Sequence, residues 1–285
     1  MDPRIAVVVP TIGRRHNLQR LFSSLDKQTL RPTRVLVVDQ GADPTVKSVT
    51  LEWGFSYVHT SPGVSRARNI GAALVLGEVD IITFVDDDIW YNDRALELAA
   101  RIVLLENCVV SARLLQPTGT GRMWDRGTRR GLSKRTVWRG ALETGLYMSV
   151  ATWSDLGGFD EKLGLGAATP WQSGEGTELL IRAMNRGHTV VYAPEVVLFE
   201  DDPVPNDQRD AVARSLAYGR GTGRVYQIHY SFPEQAWFVA RSLMRVMLSA
   251  LHGARAIAIA NAALRGRLEG LGLLATRRDA HDRKI

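Results

Sequence analysis

Short apolar runs alternate with helical patterns along the first 90 residues. The four apolar runs are residues 5–9, 35–38, 55–58 and 81–85. Their β-branched character and length are typical of strands buried on both faces of a parallel sheet. Apolar side chains at helical spacing lie between them, at 18–25 and 67–74. Strands alternating with helices predict an open α/β fold, with a mainly parallel sheet and helices on both faces.

Polar residues follow three of these runs at the point where each strand ends. Thr11 follows the first run, Asp39 the second, and the triplet Asp86, Asp87 and Asp88 the fourth. In open α/β sheets, ligands bind outside the carboxyl ends of the strands. We therefore expect these three polar sites to share one rim of the sheet.

The pattern changes in the second half of the chain. Residues 116–140 are rich in Gly, Arg and Thr, which indicates loops or short antiparallel pieces. Further predicted elements are a turn at 157–160, a helix at 178–186, a strand at 189–193 closed by Pro194, and helices from 206 onward with breaks near 232–233 and 253. We predict one domain with a first half at 1–112 and a second half at 113–205, followed by a helical extension at 206–285.

Three consecutive carboxylates after a buried strand require neutralisation, because like charges raise one another's pKa. A bound Mg²⁺ or Mn²⁺ would supply it, since both ions prefer oxygen ligands. In an extended segment Asp86 and Asp88 would point to one side and Asp87 to the other. The alternative is a solvated turn before the next helix, with Asp93 as the cap of that helix.

Composition and charge limit the setting of the protein. The single cysteine, Cys108, excludes an intramolecular disulfide and a Cys-rich zinc site. The N-terminal residues MDPRIAVVVP have neither a basic segment nor a long apolar stretch, so we expect a cytoplasmic protein. The net charge is +6 and the sequence pI is near 9.7, with the excess arginine concentrated after residue 209.

The ordered set of motifs resembles the family 2 glycosyltransferases with a GT-A fold. The resemblance covers residues 5–202. It rests on Val8-Val9-Pro10-Thr11, Val37-Val38-Asp39, the segment from Gly63 to Gly71, Phe84-Val85 with the aspartate triplet, Gly157-Gly158-Phe159-Asp160-Glu161, the segment from Gly174 to Arg182, and Tyr192-Ala193-Pro194.

The resemblance implies that residues 1–112 are a nucleotide-sugar-binding half and residues 113–205 an acceptor and catalytic half, with the nucleotide contacts at the predicted rim. Pro10, Thr11 and Asp39 are expected at the base and ribose, and Arg68 in the loop beside the base. Asp86 and Asp87 are expected at the nucleotide, with Asp86 also a candidate for the metal shell. For these positions ordinary turn chemistry is the alternative.

The resemblance also implies a divalent cation, Mn²⁺ or Mg²⁺, held by Asp88 and stabilising a departing diphosphate. Relatives usually supply a histidine after the Tyr-x-Pro strand, but Glu200 stands there in this sequence. An oxygen ligand is acceptable to either ion. A solvated acidic loop is the alternative for Glu200.

An inverting transferase needs a base for the acceptor hydroxyl. The family usually has an aspartate in a Glu-Asp pair, but here Gly176 follows Glu175. We expect Glu175 to be the base, with Glu178 in reserve. The alternative for Glu178 is a helix N-terminal acid that favours the helix dipole.

Two aromatic residues and the C-terminal tail have open interpretations. Trp138 and Trp171 could stack on a sugar ring or serve as core or rim aromatics. The tail alternates apolar stretches with arginines, and its uncharged stretches are too short to span a membrane. It either packs on the catalytic domain or a second subunit, or lies on an anionic membrane at the inner face of the plasma membrane.

The resemblance therefore predicts a metal-dependent inverting glycosyltransferase. Its donor would be a UDP-, GDP- or dTDP-sugar, and its acceptor a glycan or lipid-linked glycan, as in polysaccharide biosynthesis. A transferase fold that has lost its chemistry and serves as a scaffold is the alternative, suggested by Gly176. We expect no nucleic-acid binding, because an acidic rim without metal repels phosphate.

Overall fold

The computed structural model describes residues 2–119, 127–141, 144–201 and 211–275. The strands are β1 (Ile5–Thr11), β2 (Arg34–Asp39), β3 (Ser56–His59), β4 (Ile81–Phe84), β5 (Ile89–Tyr91), β6 (Cys108–Leu115), β7 (Arg130–Gly131), β8 (Leu146–Ser149) and β9 (Thr189–Glu200). The helices are α1 (Arg15–Asp26), α2 (Thr45–Glu52), α3 (Val64–Val75), α4 (Ala95–Glu106), α5 (Val137–Gly140), α6 (Val150–Leu156), α7 (Glu175–Asn185), α8 (Ala211–His229), α9 (Phe232–Ser249) and α10 (Ala254–Gly270), with a 3₁₀ turn at Ala250–His252.

In the described part of the chain, one mixed sheet of nine strands has the order β3-β2-β1-β4-β8-β6-β9-β5, and β7 pairs with β9. The four strands from β3 to β4 are parallel, as the first half of the sequence predicts. Beyond β4 the strands β8, β5 and β7 join antiparallel. The predicted open α/β fold is confirmed. The sequence did not predict the strand order beyond β4, where β6 and β9 pair in parallel.

Both faces of the sheet are covered, and for this reason every residue of β1 is buried. Ile5, Val7 and Val9 join one core with the apolar sides of α1, α2 and α4. On the other face, Phe84 contacts the rings of Trp153 and Phe159 at centroid distances of 4.8 and 5.0 Å. A central strand buried on both sides accounts for the continuous apolar run at its position.

Two predicted elements have different bounds in the structure. The helix predicted at 178–186 begins three residues earlier, at Glu175. The strand predicted to close at Pro194 continues to Glu200. Its pairing with β6 shifts register between Ala112 and Arg113, so that residues 194–196 form a bulge without ladder partners. Proline is tolerated at a bulge because it has no N–H to donate there.

Contacts divide the chain into two compact units. The first consists of residues 1–159 and 176–202 and contains the sheet; the second consists of residues 160–175 and 203–285 and contains the C-terminal helices. Residues 160–175 thus belong to the same unit as the C-terminal segment. The boundaries predicted at 112 and 205 do not separate these residues from the sheet.

In the second unit, α8 and α10 approach each other at backbone distance. Glycines line the contact: Gly219 and Gly223 on α8, and Gly266 and Gly270 on α10. A Cβ atom at any of the four would lie 2.1 to 2.6 Å from a backbone oxygen of the other helix. Small residues four apart on both helices therefore make this packing possible. Among the described residues, no helix combines the length and apolarity needed to cross a membrane.

Helix α3 also depends on a glycine. A Cβ atom at Gly71 would lie 2.4 Å from Cγ1 of Val8 and 3.1 Å from Cγ2 of Val38. Both valines belong to central strands and are fully buried, so neither can move aside easily. The glycine thus fixes how closely α3 lies on β1 and β2.

We predict that Gly71→Ala lowers the free energy of unfolding by about 1–2 kcal/mol, because overpacking outweighs the gain in helix propensity. Gly77→Ala is the matched control, since nothing lies within 4 Å of a Cβ there. Urea denaturation of both variants measures the difference. Equal stability of the two variants would contradict the close packing of α3.

Candidate active site

The carboxyl ends of β1, β2 and β4 bring the predicted rim residues together. Thr11 is the register partner of Asp39 at the ends of β1 and β2. Pro10 precedes it, buried within β1 and paired with Val38. The Thr11 hydroxyl donates to Oδ2 of Asp87 across 2.5 Å. The parallel topology therefore places the first strand end, the second strand end and the acidic triplet at one edge.

The triplet forms a turn and not an extended segment. The Ile89 amide donates to the Asp86 carbonyl across 3.2 Å, closing the turn between β4 and β5. Asp87 is fully buried, whereas the Asp86 and Asp88 side chains are 36% and 42% exposed. The extended conformation expected for the triplet is therefore not found, although Asp86 and Asp88 are exposed and Asp87 is buried, as strand alternation would also place them.

Two arginines neutralise the triplet. Arg14 forms ion pairs with both Asp87 and Asp88, at 2.8 Å to Oδ2 of Asp88. The buried Arg68 pairs with Oδ1 of Asp86 at 2.8 Å. Two positive charges thus stand against three negative ones. The sequence pattern does not reveal Arg14, since it lies in the loop before α1 among other arginines.

The electrostatic environment separates Asp87 from its neighbours. Burial raises the pKa of Asp87 to about 6, although the Thr11 hydroxyl and the Arg14 guanidinium act in the opposite direction and Asp88 adds to the rise. Burial disfavours the charged form of Arg14, but Asp87 and Asp88 outweigh it and raise the pKa of Arg14. The buried carboxylate depends on Thr11 and Arg14 to stay ionised at neutral pH.

The side chain of Asp39 is fixed by two hydrogen bonds, one from the loop after β2 and one from β3. Its Oδ1 accepts the Gly41 amide at 2.8 Å and its Oδ2 accepts the Tyr57 hydroxyl at 3.0 Å. Burial, followed by the hydrogen bond to Asp39, raises the pKa of Tyr57. Gln40 accepts the amide of Gly63, which caps the start of α3, at 2.8 Å. The sequence did not single out Tyr57, because one tyrosine in a short strand carries no signal of its own.

Arg68 is fixed by the turn that follows α6. Its guanidinium carbon lies 5.3 Å from the centroid of Phe159. The adjacent Asn69 side chain donates to the Phe159 carbonyl at 3.0 Å and accepts the Phe159 amide at 2.8 Å. Gly158 has a φ of +87° and leaves no room for a Cβ, which would lie 2.8 Å from Oδ1 of Asn69. Two motifs about 90 residues apart in the sequence thus form one structure.

The two candidate bases differ in their surroundings. Glu178 forms a two-point ion pair with Arg182, at 3.0 and 2.6 Å, and Arg182 also donates to the Leu156 carbonyl. Glu175 is buried and is the first residue of α7, after Gly174 with its φ of +88°. Glu178 therefore has a structural partner in Arg182, which is a different interaction from the helix-dipole contact offered as its alternative role.

Glu200 lies beside the acidic turn. The antiparallel pairing of β5 with β9 sets it opposite Ile89, the residue that follows Asp88. The next residue, Asp201, pairs with Arg20 through two contacts of 2.7 Å. Arg20 in turn lies 3.7 Å above the ring of Trp90. Asp202 is outside the described residues.

The structure also shows the surroundings of Asp93, Trp138 and Trp171, for which the sequence suggested a role. Asp93 does not cap α4, whose N-cap residue is Arg94. Trp138 is half-buried within α5. Trp171, in the second unit, has one face covered by Arg224 at 4.3 Å from the ring centroid. That contact accounts for Trp171 without a sugar.

The residues present fit a divalent cation in their chemistry. Within the described ranges, no three Asp, Glu, His or Cys side chains are grouped so that they could hold a metal ion by themselves. Mg²⁺ in phosphate sites is commonly held by one or two carboxylates together with phosphate oxygens. The exposed carboxylates of Asp86 and Asp88 can provide such an open donor set. These two carboxylates could hold a metal ion together with phosphate oxygens, but they could not enclose it with protein ligands alone.

An acidic turn at the carboxyl edge of an open α/β sheet defines this unit as a GT-A-type fold. The family model described as glycosyl transferase family 2 matches residues 6–152, which is more than half of the chain. The chain therefore belongs to glycosyl transferase family 2, and the family and enzyme class predicted from the sequence are confirmed.

One curated relative is an uncharacterized glycosyltransferase of Haemophilus influenzae. It is 27% identical over 105 residues, which amount to 35% of this chain and 34% of the relative. The chain thus matches only about a third of that protein's length.

Solved structures of S. aureus TarS share the fold. One has a TM-score of 0.57 at 15% identity, with 94% of this chain and 54% of TarS covered. TarS 1–349 in complex with UDP has a TM-score of 0.56 at 15% identity, covering 96% of this chain and 93% of that one. The complex of TarS 1–349 with UDP-GlcNAc has a TM-score of 0.57 at 15% identity, covering 94% and 89%. At this identity the likeness concerns the fold alone.

We predict that the buried Asp87 makes the protein less stable as pH rises. Its pKa is about 6 when folded against 3.8 as a model value, so the folded state binds the proton more tightly. This contribution is greatest at acid pH and is lost as pH rises through about 6. Between pH 5 and pH 7, wild type should lose about 1 kcal/mol relative to Asp87→Asn, which cannot titrate there.

Urea denaturation at several pH values measures that difference. Asp155→Asn is the control, because the hydrogen bond to His188 lowers the pKa of Asp155 from 3.8, so that its contribution is lost only at more acid pH and does not change between pH 5 and pH 7. A wild-type advantage over Asp87→Asn that does not change between pH 5 and pH 7 would contradict the assignment of a raised pKa to Asp87.

Proposed function

We propose that this protein transfers a sugar from a nucleoside-diphosphate sugar to an acceptor hydroxyl in one inverting step. The observation that carries the proposal is the meeting of Thr11, Asp39 and the acidic turn at one edge of a family 2 sheet. Attack by the hydroxyl oxygen forms the new glycosidic bond while the bond to the diphosphate breaks. The acceptor proton passes to a carboxylate of the enzyme.

Pro10, Thr11 and Asp39 bind the base and ribose in this proposal. The Asp39 carboxylate is oriented by Gly41 and Tyr57, yet each of its oxygens retains a second lone pair that can accept from a base N–H. A carboxylate already fixed in place loses little entropy on binding.

Asp87 acts through other residues, because it is fully buried. It orients the Thr11 hydroxyl and holds Arg14 at the rim, so we assign it a positioning role. Asp86 is the ribose or metal-shell contact, and Arg68 orients it from behind. Arg14 would exchange its contact with Asp88 for the diphosphate when a donor and a cation are bound.

Asp88 is the proposed metal ligand, with Asp86 and Glu200 as further candidates. Mn²⁺ or Mg²⁺, when bound, would stabilise the negative charge of the departing diphosphate. Glu200 supports this assignment because β-pairing sets it next to the turn that carries Asp88.

Glu175 is the proposed base. Both oxygens of Glu178 are engaged by Arg182, and protonating that carboxylate would weaken a partly buried ion pair. Glu175 lies between two glycines at the start of α7, where a substrate can approach closely.

A UDP-sugar is the donor to test first, ahead of GDP- and dTDP-sugars. TarS 1–349, which shares the fold, is found in complex with UDP and with UDP-GlcNAc. The proposed acceptor is a glycan or a lipid-linked glycan in polysaccharide biosynthesis. For the C-terminal helices we propose either contact with the inner face of the plasma membrane or contact with a second subunit.

A second candidate function is that of a nucleotide-sugar-binding scaffold whose chemistry has lapsed. Gly176 favours it, because glycine stands where relatives have an aspartate. Binding without turnover would distinguish this function from the first.

We predict that wild type consumes one of the UDP-, GDP- or dTDP-sugars in the presence of Mn²⁺, with water as the acceptor. Glu175→Gln should lower kcat about 10²–10⁴-fold, since a positioned base contributes that much. Its donor affinity and its stability should be nearly unchanged. Donor hydrolysis, measured by nucleotide release, tests both statements.

Glu178→Gln is the matched control, on the same helix and with the same change of atoms. It should lose stability, because Arg182 loses its charged partner, but keep kcat within about tenfold of wild type. Loss of turnover in Glu178→Gln but not in Glu175→Gln would move the role of base to Glu178. Binding of a nucleotide sugar that wild type never consumes would establish the scaffold instead.

A further inference from the structure

Helix α9 has its apolar residues on the side that faces solvent. Trp237, Met244, Met247, Leu248 and Leu251 form what we call the exposed α9 stripe, which ends in the 3₁₀ turn after the helix. Their spacing of three, four and seven residues puts them on one face. Each is at least half exposed, from Met244 at 53% to Leu251 at 81%.

The opposite face of α9 is already occupied. Phe238 stacks on Tyr226 of α8 at a centroid distance of 3.8 Å. The buried Ser242 accepts a hydrogen bond from Arg267 of α10 at 2.8 Å. Packing within the second unit therefore uses one side of α9 and leaves the stripe outward. A continuous apolar surface of this kind marks a binding surface in most proteins.

The charge around the stripe is mainly positive, since the one acidic residue of α9 is Glu234 in its first turn. Between Gln235 and Leu268 the sequence contains five arginines and no aspartate or glutamate. Arg241 and Arg245 lie one turn apart at the border of the stripe, and both are exposed. The surface is thus apolar in the middle and cationic at its edge.

Arg267 adds to this positive charge from below. Its guanidinium lies 5.2 Å from the Phe238 ring centroid, and no carboxylate in the described ranges pairs with it. Burial lowers the pKa of Arg267, and Arg245 and Arg241 lower it further. Among the described residues no carboxylate forms an ion pair with Arg241, Arg245 or Arg267, so an approaching anion stabilises all three cations.

We propose that the exposed α9 stripe lies on the surface of an anionic phospholipid membrane. The apolar side chains enter the boundary between headgroups and acyl chains, and Arg241 and Arg245 contact lipid phosphates. Trp237 suits the headgroup level, where an amphipathic ring is favoured. Arg241 and Arg245 interrupt the middle of α9, so the helix lies in the plane of the membrane and does not span it.

A second copy of the chain fits the same surface less well. A symmetric dimer through the stripe would bring Arg241 and Arg245 of one copy toward the same residues of the other. The like charges would repel one another in a partly desolvated contact. An anionic bilayer supplies the complementary charge, and for that reason we choose it as the partner.

Co-sedimentation of the full chain with vesicles tests the proposal. We expect binding to vesicles of phosphatidylcholine with about one-third phosphatidylglycerol, and weaker binding to pure phosphatidylcholine. The double variant Met247→Glu/Leu251→Glu should lower the partition coefficient about tenfold or more, because charges at the headgroup boundary resist insertion. Arg241→Gln and Arg245→Gln should each lower it about fivefold, the equivalent of about 1 kcal/mol per arginine.

Leu105→Glu is the control variant. Leu105 lies on α4 in the first unit and is 74% exposed, so it receives the same charge at similar exposure outside the stripe. Its partition coefficient should equal that of wild type. Circular dichroism and thermal melts of all variants establish that each is folded before its binding is compared.

Two results would overturn the proposal. One is equal sedimentation of wild type with anionic and neutral vesicles, or none with either. The other is a wild-type dimer in light scattering that Met247→Glu/Leu251→Glu dissociates while vesicle binding is unaffected, which would make the stripe an interface between copies. Vesicle binding is measured without donor or acceptor, so its failure would leave the proposed transfer reaction standing.

Discussion

The structure of the candidate site depends on the neutralisation of three carboxylates at the end of one buried strand. Asp87 is fully buried, and a buried charge is stable only when it is paired and hydrogen-bonded. Thr11 donates a hydrogen bond to Asp87 and Arg14 forms an ion pair with it, while Arg68 forms an ion pair with Asp86. The end of β1, the loop before α1 and helix α3 therefore each contribute one residue that stabilises the charge of the acidic turn.

Helix α3 shows how far this requirement extends. Arg68 reaches Asp86 from a helix that lies close to the sheet because Gly71 leaves room for Val8. The neighbouring Asn69 fastens the Gly157–Phe159 turn to the same helix through both of its amide atoms. Motifs that are separate in the sequence thus contact one another and together position the acidic turn. We expect a substitution in any of them to alter the position of Asp86.

The sequence predicted the parallel half of the fold and the shared rim well, because strands buried on both faces leave a plain apolar run and end at polar residues. It predicted the second half less completely. The bulge at residues 194–196 lets β9 continue through a proline, and no local signal separates such a bulge from a strand end. Strand alternation also predicts an extended conformation at Asp86–Asp88, but alternation holds only within a strand, and β4 ends at Phe84. Arg14 and Tyr57 could not be found, because their roles come from contacts distant in sequence.

The central claim is that the acidic turn binds a nucleoside diphosphate through a divalent cation at Asp88. Isothermal titration calorimetry of the wild-type protein with UDP, GDP and dTDP, in Mn²⁺ and in EDTA, tests it most directly. We expect one nucleotide to bind at least about tenfold more tightly in Mn²⁺, and Asp88→Asn to abolish this difference while still binding the nucleotide weakly. Equal affinity of wild type in Mn²⁺ and in EDTA, or no binding of any of the three nucleotides, would contradict it.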